Sequence, residues 1–177
     1  MVHAEASTFA NGQTKAQVYE QVLEQAEALF EDQRNWVCNL SNASSLIYHA
    51  LKSLPPPSSS VNWCGFYVLD PDPKKPSGLI LGPFQGHVAC QTIPFARGVC
   101  GTAASTQKTQ LVLDVDAFPG HIACDSNSKS EIVVPIVKDG VCVAIIDIDC
   151  AELGGFDGED AVALERMAGL LARSCNF

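Results

Sequence analysis

The segment from Glu131 to Asp149 constrains the fold more than any other part of the sequence. Two runs rich in β-branched residues, EIVVPIV and VCVAIIDID, are joined by the short turn Lys138-Asp139-Gly140. Runs of this kind separated by a few turn-forming residues that include glycine are typical of an antiparallel β-hairpin. The sequence therefore predicts strands over 131–137 and 141–149, in a sheet that is mostly antiparallel.

Helical patterns stand at both ends of the chain. Thr14 and Gln17 form a capping-box pattern, which predicts a helix from Thr14 to about Asp32. A second helix is expected from about Ser41 to the proline run at 55–57, because prolines end helices. Asp157 is expected to cap a final helix whose apolar side is formed by Val162, Leu164, Met167, Leu170 and Leu171.

The middle of the chain is predicted to complete the sheet. We expect strands over 61–69, 79–84, 88–95 and 110–115, a short helix over 98–107, and a loop over 116–130. Helices before and after a run of antiparallel strands predict an α+β fold, with helices on one sheet face and a ligand pocket on the other. Residues 1–13 are expected to be a flexible lead-in, and residues 14–177 a single domain.

Composition excludes several classes of function. Acidic residues outnumber Lys and Arg by 20 to 11, which gives a net charge of −9, and this charge is repelled by nucleic acid and by anionic membrane surfaces. No stretch approaches the roughly 18 apolar residues of a membrane-spanning helix. The N-terminus lacks the basic and apolar regions of a secretory signal. We therefore expect a protein without nucleic-acid or membrane partners.

The chain has eight cysteines, and no two of them form a CxxC motif. A structural zinc site is therefore not expected, and a chain this long and apolar needs no disulfide framework. Reduced thiols in the cytoplasm are the expected state, most of them buried as small hydrophobic residues. The positions are 38, 64, 90, 100, 124, 142, 150 and 175.

Two nearly identical short stretches each contain one of these thiols, and a third thiol lies between them. Cys90 ends the stretch GHVAC, Cys124 ends the nearly identical stretch GHIAC, and Cys100 lies between them. Cys124 falls in the predicted long loop beside His121, where a cysteine can have a lowered pKa and act as a nucleophile. The alternative is an idle, half-exposed thiol. Three thiols within 35 residues also leave room for a partner that resolves an oxidised cysteine.

Several acidic and aromatic residues lie on the predicted strands at positions that share one face of the sheet. Asp147 and Asp149 alternate with isoleucines, so both carboxylates point to the same sheet face, and Glu131 begins the paired strand. Clustered acids indicate a cationic ligand or a carboxyl group with a raised pKa, unless they simply face solvent. Trp63 and Tyr67 also share one face and are either core residues or the wall of a pocket. Together these groups would suit a small zwitterion with an apolar tail.

Five stretches of the sequence carry a specific resemblance. NWCGFY, GPFQGHVAC, GVCGTAA, DVDAFPGHIACDSNSKSEIVVPI and IDIDC make residues 14–175 similar to the free methionine-(R)-sulfoxide reductases, which are built on a GAF domain. The resemblance implies reduction of the R epimer of free methionine sulfoxide. It implies a homodimer and thioredoxin as the reductant, with no metal and no organic cofactor.

The resemblance also implies roles for individual residues. Cys124 would be the attacking thiol, Cys90 the resolving thiol, and Cys100 an auxiliary or alternative one. Family carboxylates that bind substrate and aid the chemistry would fall on Glu131, Asp147 and Asp149. Trp63 would pack on the substrate methyl group, with Tyr67 beside it. No family role falls on Cys142, Cys150 or Cys175.

The chemistry of a sulfoxide requires a proton donor as well as a thiol. A sulfoxide sulfur is a poor electrophile until its oxygen is protonated, so either Glu131 or Asp149 is expected to donate a proton. Two other interpretations stay open at this point. One is a GAF module that only senses a small molecule. The other is a metal-binding protein that uses Asp147, Asp149 and His121.

Overall fold

The structure is a computed structural model, and it describes residues 4–72, 78–121 and 125–177. The helices are Lys15–Phe30 (α1), Trp36–Ser53 (α2), Gly98–Thr106 (α3) and Gly158–Ser174 (α4). The strands are Val61–Leu69 (β1), Gly78–Gly86 (β2), Thr92–Pro94 (β3), Gln110–Val112 (β4), Ser130–Lys138 (β5) and Val141–Cys150 (β6).

The six strands form one sheet in the order β3-β2-β1-β6-β5-β4, and each neighbouring pair is antiparallel. The predicted central hairpin is confirmed, with Lys138 paired to Val141. Its two turn residues, Asp139 and Gly140, have φ angles of 51° and 79°. Positive φ at both central positions is typical of the turn that matches strand twist in a two-residue hairpin, which explains the Asp-Gly pair.

The helices divide between the two faces of the sheet. α1, α2 and α4 cover one face, where Cys64, Phe66 and Val68 of β1 point toward them. The opposite face carries α3 and a smaller apolar cluster that contains Trp63 and Tyr67. This alternation along β1 confirms the predicted α+β fold, with one helical face and one face left for a pocket. None of the described helices has the length and apolar character needed to cross a membrane.

Two predicted helix starts are confirmed in atomic detail. The Thr14 side chain accepts a hydrogen bond from the backbone N–H of Gln17, whose own side chain accepts from the N–H of Thr14. Asp157 and Asp160 form the same reciprocal capping box at the start of α4. Each box satisfies backbone N–H groups that the first turn of a helix cannot pair internally.

Several predicted boundaries were wrong. α2 begins at Trp36 rather than near Ser41, because the Asn35 side chain accepts hydrogen bonds from the two N–H groups that open the helix. The strand predicted over 88–95 is only Thr92–Pro94, and the one predicted over 110–115 ends at Val112. There Asp114 starts a 3₁₀ turn by accepting a hydrogen bond from the N–H of Asp116. Val162 is 61% exposed and is not part of the apolar side of α4.

The segment before α1 contacts the rest of the chain. Ala6 and Phe9 pack against the core beneath the helical face, and the Gln21 side chain donates a hydrogen bond to the Thr8 carbonyl. Whether residues 1–13 move independently of the domain at 14–177 stays a prediction.

Candidate active site

A pocket of about 750 Å³, partly open to solvent, lies on the sheet face that carries α3. β1, β5 and β6 form its floor, and residues 87–94 together with His121, Asp125 and Ser128 form its sides. Seven of the eight predicted site residues line it: Trp63, Tyr67, Cys90, Cys100, Glu131, Asp147 and Asp149. The eighth, Cys124, lies outside the described residues.

The register of the sheet aligns three of these side chains in one row. Trp63 of β1 pairs with Asp149 of β6, and Asp149 pairs in turn with Glu131 of β5. In the next row on the same face, Asp147 pairs with Gly65. The predicted shared face of Asp147 and Asp149 is therefore confirmed, because residues two apart on a strand point to the same side.

The carboxylates are held away from water. Glu131 and Asp147 are each 6% exposed and Asp149 is partly buried, so the fully hydrated arrangement considered above is wrong for this cluster. Burial raises the pKa of Asp147 to about 6 and raises the pKa of Glu131 and of Asp149 well above their usual ranges. The charge on Asp147 raises the pKa of both neighbours further. The three groups therefore hold their protons to higher pH than isolated carboxyl groups do.

Cys100 belongs to the carboxylate cluster rather than to the rim of the pocket. Its thiol donates a hydrogen bond to Glu131 Oε1 at 3.5 Å, and Asp147 is a second hydrogen-bond neighbour. Burial, and then the charges on Asp147 and Glu131, raise the pKa of the thiol well above its ordinary value. Cys100 is therefore a neutral hydrogen-bond donor at neutral pH and a poor nucleophile.

The same cluster has the dimensions of a cation site. Ligand atoms of Cys100, Glu131 and Asp147 all lie within 4.8 Å of one another, and Asp147 Oδ1 is buried without a hydrogen-bond partner among the described residues. His121, a member of the metal site considered above, has its Nε2 atom 3.9 Å from Glu131 Oε2. Two close carboxyl groups, one with an unsatisfied oxygen, can receive either a metal ion or an organic ammonium group.

An aromatic wall stands beside the acids. The Trp63 ring stacks on Tyr67 at 5.9 Å and on Phe84 at 5.3 Å between ring centroids. Gly65 makes this possible, since a Cβ atom there would lie 2.7 Å from Trp63 Cη2 and would also clash with Phe84. The absent side chain thus makes room for the indole ring. Trp63 and Tyr67 belong to an apolar core cluster and also line the pocket. The two predicted roles, core residue and pocket wall, therefore hold together.

Cys90 differs from the other described cysteines. It is partly buried, lines the pocket and is disulfide-bonded. The remaining cysteines of the described ranges are free thiols. Cys64, Cys142, Cys150 and Cys175 are buried, and burial raises the pKa of each, that of Cys142 to about 11. These four are inert packing residues, as the composition predicted for most thiols.

Sequence reasoning missed the residues that support the pocket from behind. Asn62 Nδ2 donates hydrogen bonds to Asp125 Oδ2 at 3.1 Å and to Ser128 Oγ at 3.0 Å. Ser128 in turn hydrogen-bonds Asp149. Arg97, exposed at the start of α3, also lines the pocket. Asn62 stands inside the motif NWCGFY, but nothing in strand periodicity indicates that its amide reaches residues more than sixty positions away.

Comparisons with known proteins agree with this architecture. A model of the GAF domain matches residues 39–174. The chain is 53% identical over 176 residues to the free methionine-R-sulfoxide reductase of Saccharomyces cerevisiae, covering 99% of this chain and 95% of the yeast protein. The Escherichia coli protein of the same name is 38% identical over 159 residues, with coverages of 90% and 89%.

Solved structures give the same relationship. The X-ray structure of free methionine-R-sulfoxide reductase from Neisseria meningitidis, in complex with its substrate, superposes with a TM-score of 0.86 at 40% identity. The superposition covers 98% of this chain and 95% of the other. Fold, pocket and sequence similarity over nearly the whole length lead to one conclusion: this chain belongs to the GAF-domain family of free methionine-R-sulfoxide reductases.

Proposed function

We propose that this chain reduces free methionine-(R)-sulfoxide to methionine by thiol chemistry at Cys124. The observation that carries the proposal is the row of Trp63, Asp149 and Glu131 across three strands, in a pocket also lined by the disulfide-bonded Cys90. The names of the yeast and bacterial relatives support the same substrate. The row and Cys90 support the proposal because an aromatic surface, buried carboxyl groups and a disulfide-bonded sulfur line the same pocket.

The charges of the pocket suit an amino acid with free ends. The buried, unpartnered Oδ1 of Asp147 offers an acceptor for the substrate ammonium group, and the indole face of Trp63 offers a surface for its S-methyl group. Arg97 lines the same pocket and offers a cation for the substrate carboxylate. A methionine sulfoxide residue within a peptide has neither charge, so buried acids without a partner would reject it.

The first step transfers oxygen from sulfur to sulfur. The Cys124 thiolate attacks the sulfoxide sulfur while a carboxylic acid of the cluster protonates the sulfoxide oxygen, because protonation makes that sulfur a better electrophile. The new S–S bond and the S–O bond of the substrate then break as the hydroxyl group passes to the Cys124 sulfur. Methionine leaves with an electron pair on its sulfur, and Cys124, oxidised by two electrons, becomes a sulfenic acid. Glu131 is the donor we favour, since burial and two neighbouring charges raise its pKa.

The second step restores the thiol. The Cys90 thiolate attacks the sulfenic sulfur, water leaves, and a Cys90–Cys124 disulfide forms, which a dithiol such as thioredoxin then reduces. Cys90 suits this role better than Cys100, because it is disulfide-bonded in the structure, whereas Cys100 is a buried neutral thiol between carboxylates. A cytoplasmic location would supply the reductant. The resemblance also implies a homodimer, which sedimentation can test.

A coupled assay with thioredoxin, its reductase and free methionine-(R)-sulfoxide tests the proposal. Cys124→Ser should abolish turnover, and Cys90→Ser should release about one methionine per enzyme and then stop. Cys38→Ser is the matched control, because Cys38 is an exposed, free thiol on α2, and it should turn over like the wild type. Wild-type turnover by the Cys124→Ser variant would exclude the proposed attack at Cys124. A wild-type protein that binds the sulfoxide without reducing it would instead indicate the sensor function.

A further inference from the structure

Two adjacent residues at the start of β1 each hold one of the two cysteine-bearing segments. The Trp63 indole N–H donates a hydrogen bond to the His87 carbonyl at 3.1 Å, three residues before Cys90. The Asn62 amide donates to Asp125 and Ser128, directly after Cys124 in the sequence. The pairing of β1 with β6 is irregular between Val61 and Trp63, and such irregularities redirect side chains at the edges of functional sites.

The Asn62 contacts are embedded in a rigid local network. Asp125 Oδ1 accepts a hydrogen bond from the backbone N–H of Asn127 at 2.9 Å, while its other oxygen accepts from Asn62. Ser128 is 8% exposed, and its backbone N–H donates to the Asp125 carbonyl. Asn62 Oδ1 is buried and has no hydrogen-bond partner among the described residues. A buried acceptor of this kind costs stability, so the amide is kept in place at a cost.

We propose that Asn62 is a positioning residue for disulfide formation: its amide fixes the chain that follows Cys124 relative to Trp63, and thereby relative to the segment that carries Cys90. The inference rests on the proposed function, since it assumes that Cys90 resolves Cys124. Asn62 itself does not line the pocket, so it acts through its partners Asp125 and Ser128, which do.

The two chemical steps depend differently on this arrangement. Attack on the sulfoxide needs Cys124 near the substrate, which the acids and the aromatic wall hold. Attack by Cys90 needs two loop segments to meet, and the rate of such an intramolecular step falls steeply when one partner is free to move. Loss of the Asn62 amide should therefore slow disulfide formation far more than methionine release.

Single-turnover experiments on the full-length reduced protein test this expectation. With one equivalent of sulfoxide, Asn62→Ala should release methionine within about threefold of the wild-type rate. Disulfide formation should slow by about tenfold or more, as the two mechanistic roles predict. A sulfenic-acid trap such as dimedone should then label Cys124 in the variant.

A double variant separates positioning from general destabilisation. Asn62→Asp combined with Asp125→Asn exchanges amide and carboxylate, which restores the hydrogen bond between positions 62 and 125 with its direction reversed. The bond that Asn62 donates to Ser128 Oγ is lost in both variants that carry Asn62→Asp. The double variant should therefore form the disulfide clearly faster than Asn62→Asp alone, which opposes two carboxylates. A faster rate of disulfide formation in the double variant requires the hydrogen bond between positions 62 and 125, because a folded chain without that bond would stay slow.

Three outcomes would overturn the inference. They are a wild-type rate of disulfide formation in Asn62→Ala, an equal slowing of methionine release and disulfide formation, and a folded double variant that forms the disulfide no faster than Asn62→Asp alone. Turnover by Cys124→Ser would overturn the proposed function itself. If Cys124→Ser is inactive while Asn62→Ala resolves normally, only the role of Asn62 is wrong.

Discussion

Glu131 and Asp149 face each other directly on neighbouring antiparallel strands, with no lysine or arginine bonded to either carboxylate among the described residues. Like charges in opposed positions of a sheet destabilise it, and burial adds to that cost. The surrounding hairpin is built from valine and isoleucine, which compensate through packing. The molecule therefore tolerates a destabilising pair at the point where a sulfoxide oxygen would need a proton.

Neutralising Glu131 should make the protein more stable and less active. Its pKa is raised in the folded state, so between the usual value of 4.5 and the folded value the native chain binds more protons than the unfolded chain. The free energy of unfolding of the wild type therefore falls as pH rises through that range. Glu131→Gln should melt above the wild type at about pH 8, and the difference should shrink toward about pH 5.

The activity of Glu131→Gln provides the second measurement. A lost general acid typically costs on the order of a hundredfold or more in kcat. Glu24→Gln, on an exposed position of α1, is the matched control and should change neither property. A Glu131→Gln variant that is less stable than the wild type at about pH 8 would contradict the electrostatic description of the cluster.

Cys100 should behave as a hydrogen-bond donor and not as a redox thiol. Position 100 lies 31 residues before Glu131 in the chain but beside it in space. Cys100→Ser keeps a neutral hydrogen-bond donor there, so this variant should sustain multiple turnovers. Cys100→Ala leaves Glu131 and Asp147 without that donor, and a hydrogen bond to a charged group contributes about 1.5–3 kcal/mol. We expect KM or kcat to change by tenfold or more in Cys100→Ala alone.

Steady-state assays with thioredoxin distinguish this from a resolving role. If Cys100→Ser stops after one methionine per enzyme, as Cys90→Ser is predicted to do, then Cys100 carries the disulfide step and the donor role is wrong.

The sequence predicted the sheet and its site because those features depend on local patterns. The alternation of Ile146, Asp147, Ile148 and Asp149 fixes which face each carboxylate takes. The register that brings Glu131 opposite Asp149 depends on the Asp-Gly turn and also on a register shift between Ile136 and Val137, which the sequence pattern did not predict. Neither the strand at 88–95 nor the start of α2 could be located in this way. The ends of these elements depend on single caps and turns, such as the Asn35 side chain. A cap of this kind changes the free energy of the helix by only about 1 kcal/mol, so neighbouring start positions differ little in stability.

Contacts between distant segments were beyond the same reasoning. The bond from the Trp63 indole to the His87 carbonyl, and those from Asn62 to residues 125 and 128, arise only once the sheet places β1 beside two loops. No periodicity encodes which backbone carbonyl an indole will reach. Clustering alone predicted that the pKa of these carboxyl groups is raised. The part of the pKa shift that is due to burial depends on the packing around the groups, which the sequence pattern does not specify.

Gly65→Ala should damage the pocket while leaving the opposite face intact. An added methyl group would lie 2.7 Å from Trp63 Cη2 and would press on Phe84, so the indole must move. Overpacking of this kind costs roughly 1–3 kcal/mol, and we expect a raised KM as the aromatic wall shifts. Gly158→Ala at the start of α4 is the control, because nothing lies within 4 Å of its added methyl group.

Tryptophan fluorescence and kinetics measure the effect of Gly65→Ala. The emission of Trp63 should change in this variant and stay constant in Gly158→Ala. An unchanged KM together with an unchanged melting temperature would show that β2 can move aside freely, contrary to the close packing of Gly65 against Phe84.

Asp160 should be the most sensitive charged residue outside the pocket. Its side chain is fully buried and accepts hydrogen bonds from Lys15 Nζ and Tyr19 Oη, each at 2.7 Å, and from the backbone N–H of Asp157. These bonds tie α1 to the start of α4. Removing one partner of a buried charge pair costs about 3–5 kcal/mol, so Asp160→Ala should lower the melting temperature by roughly 6–20 °C in a domain of this size.

An exposed ion pair between the same two helices is the natural comparison for Asp160. Arg166 on α4 pairs with Glu20 on α1 at the surface, where screening by solvent leaves such pairs with little net effect on stability. Glu20→Gln should therefore lower the melting temperature by only a few degrees. Both variants should keep wild-type kcat per folded molecule, because these helices cover the face opposite the pocket. Equal losses of stability in the two variants would mean that burial of Asp160 contributes nothing beyond its charge.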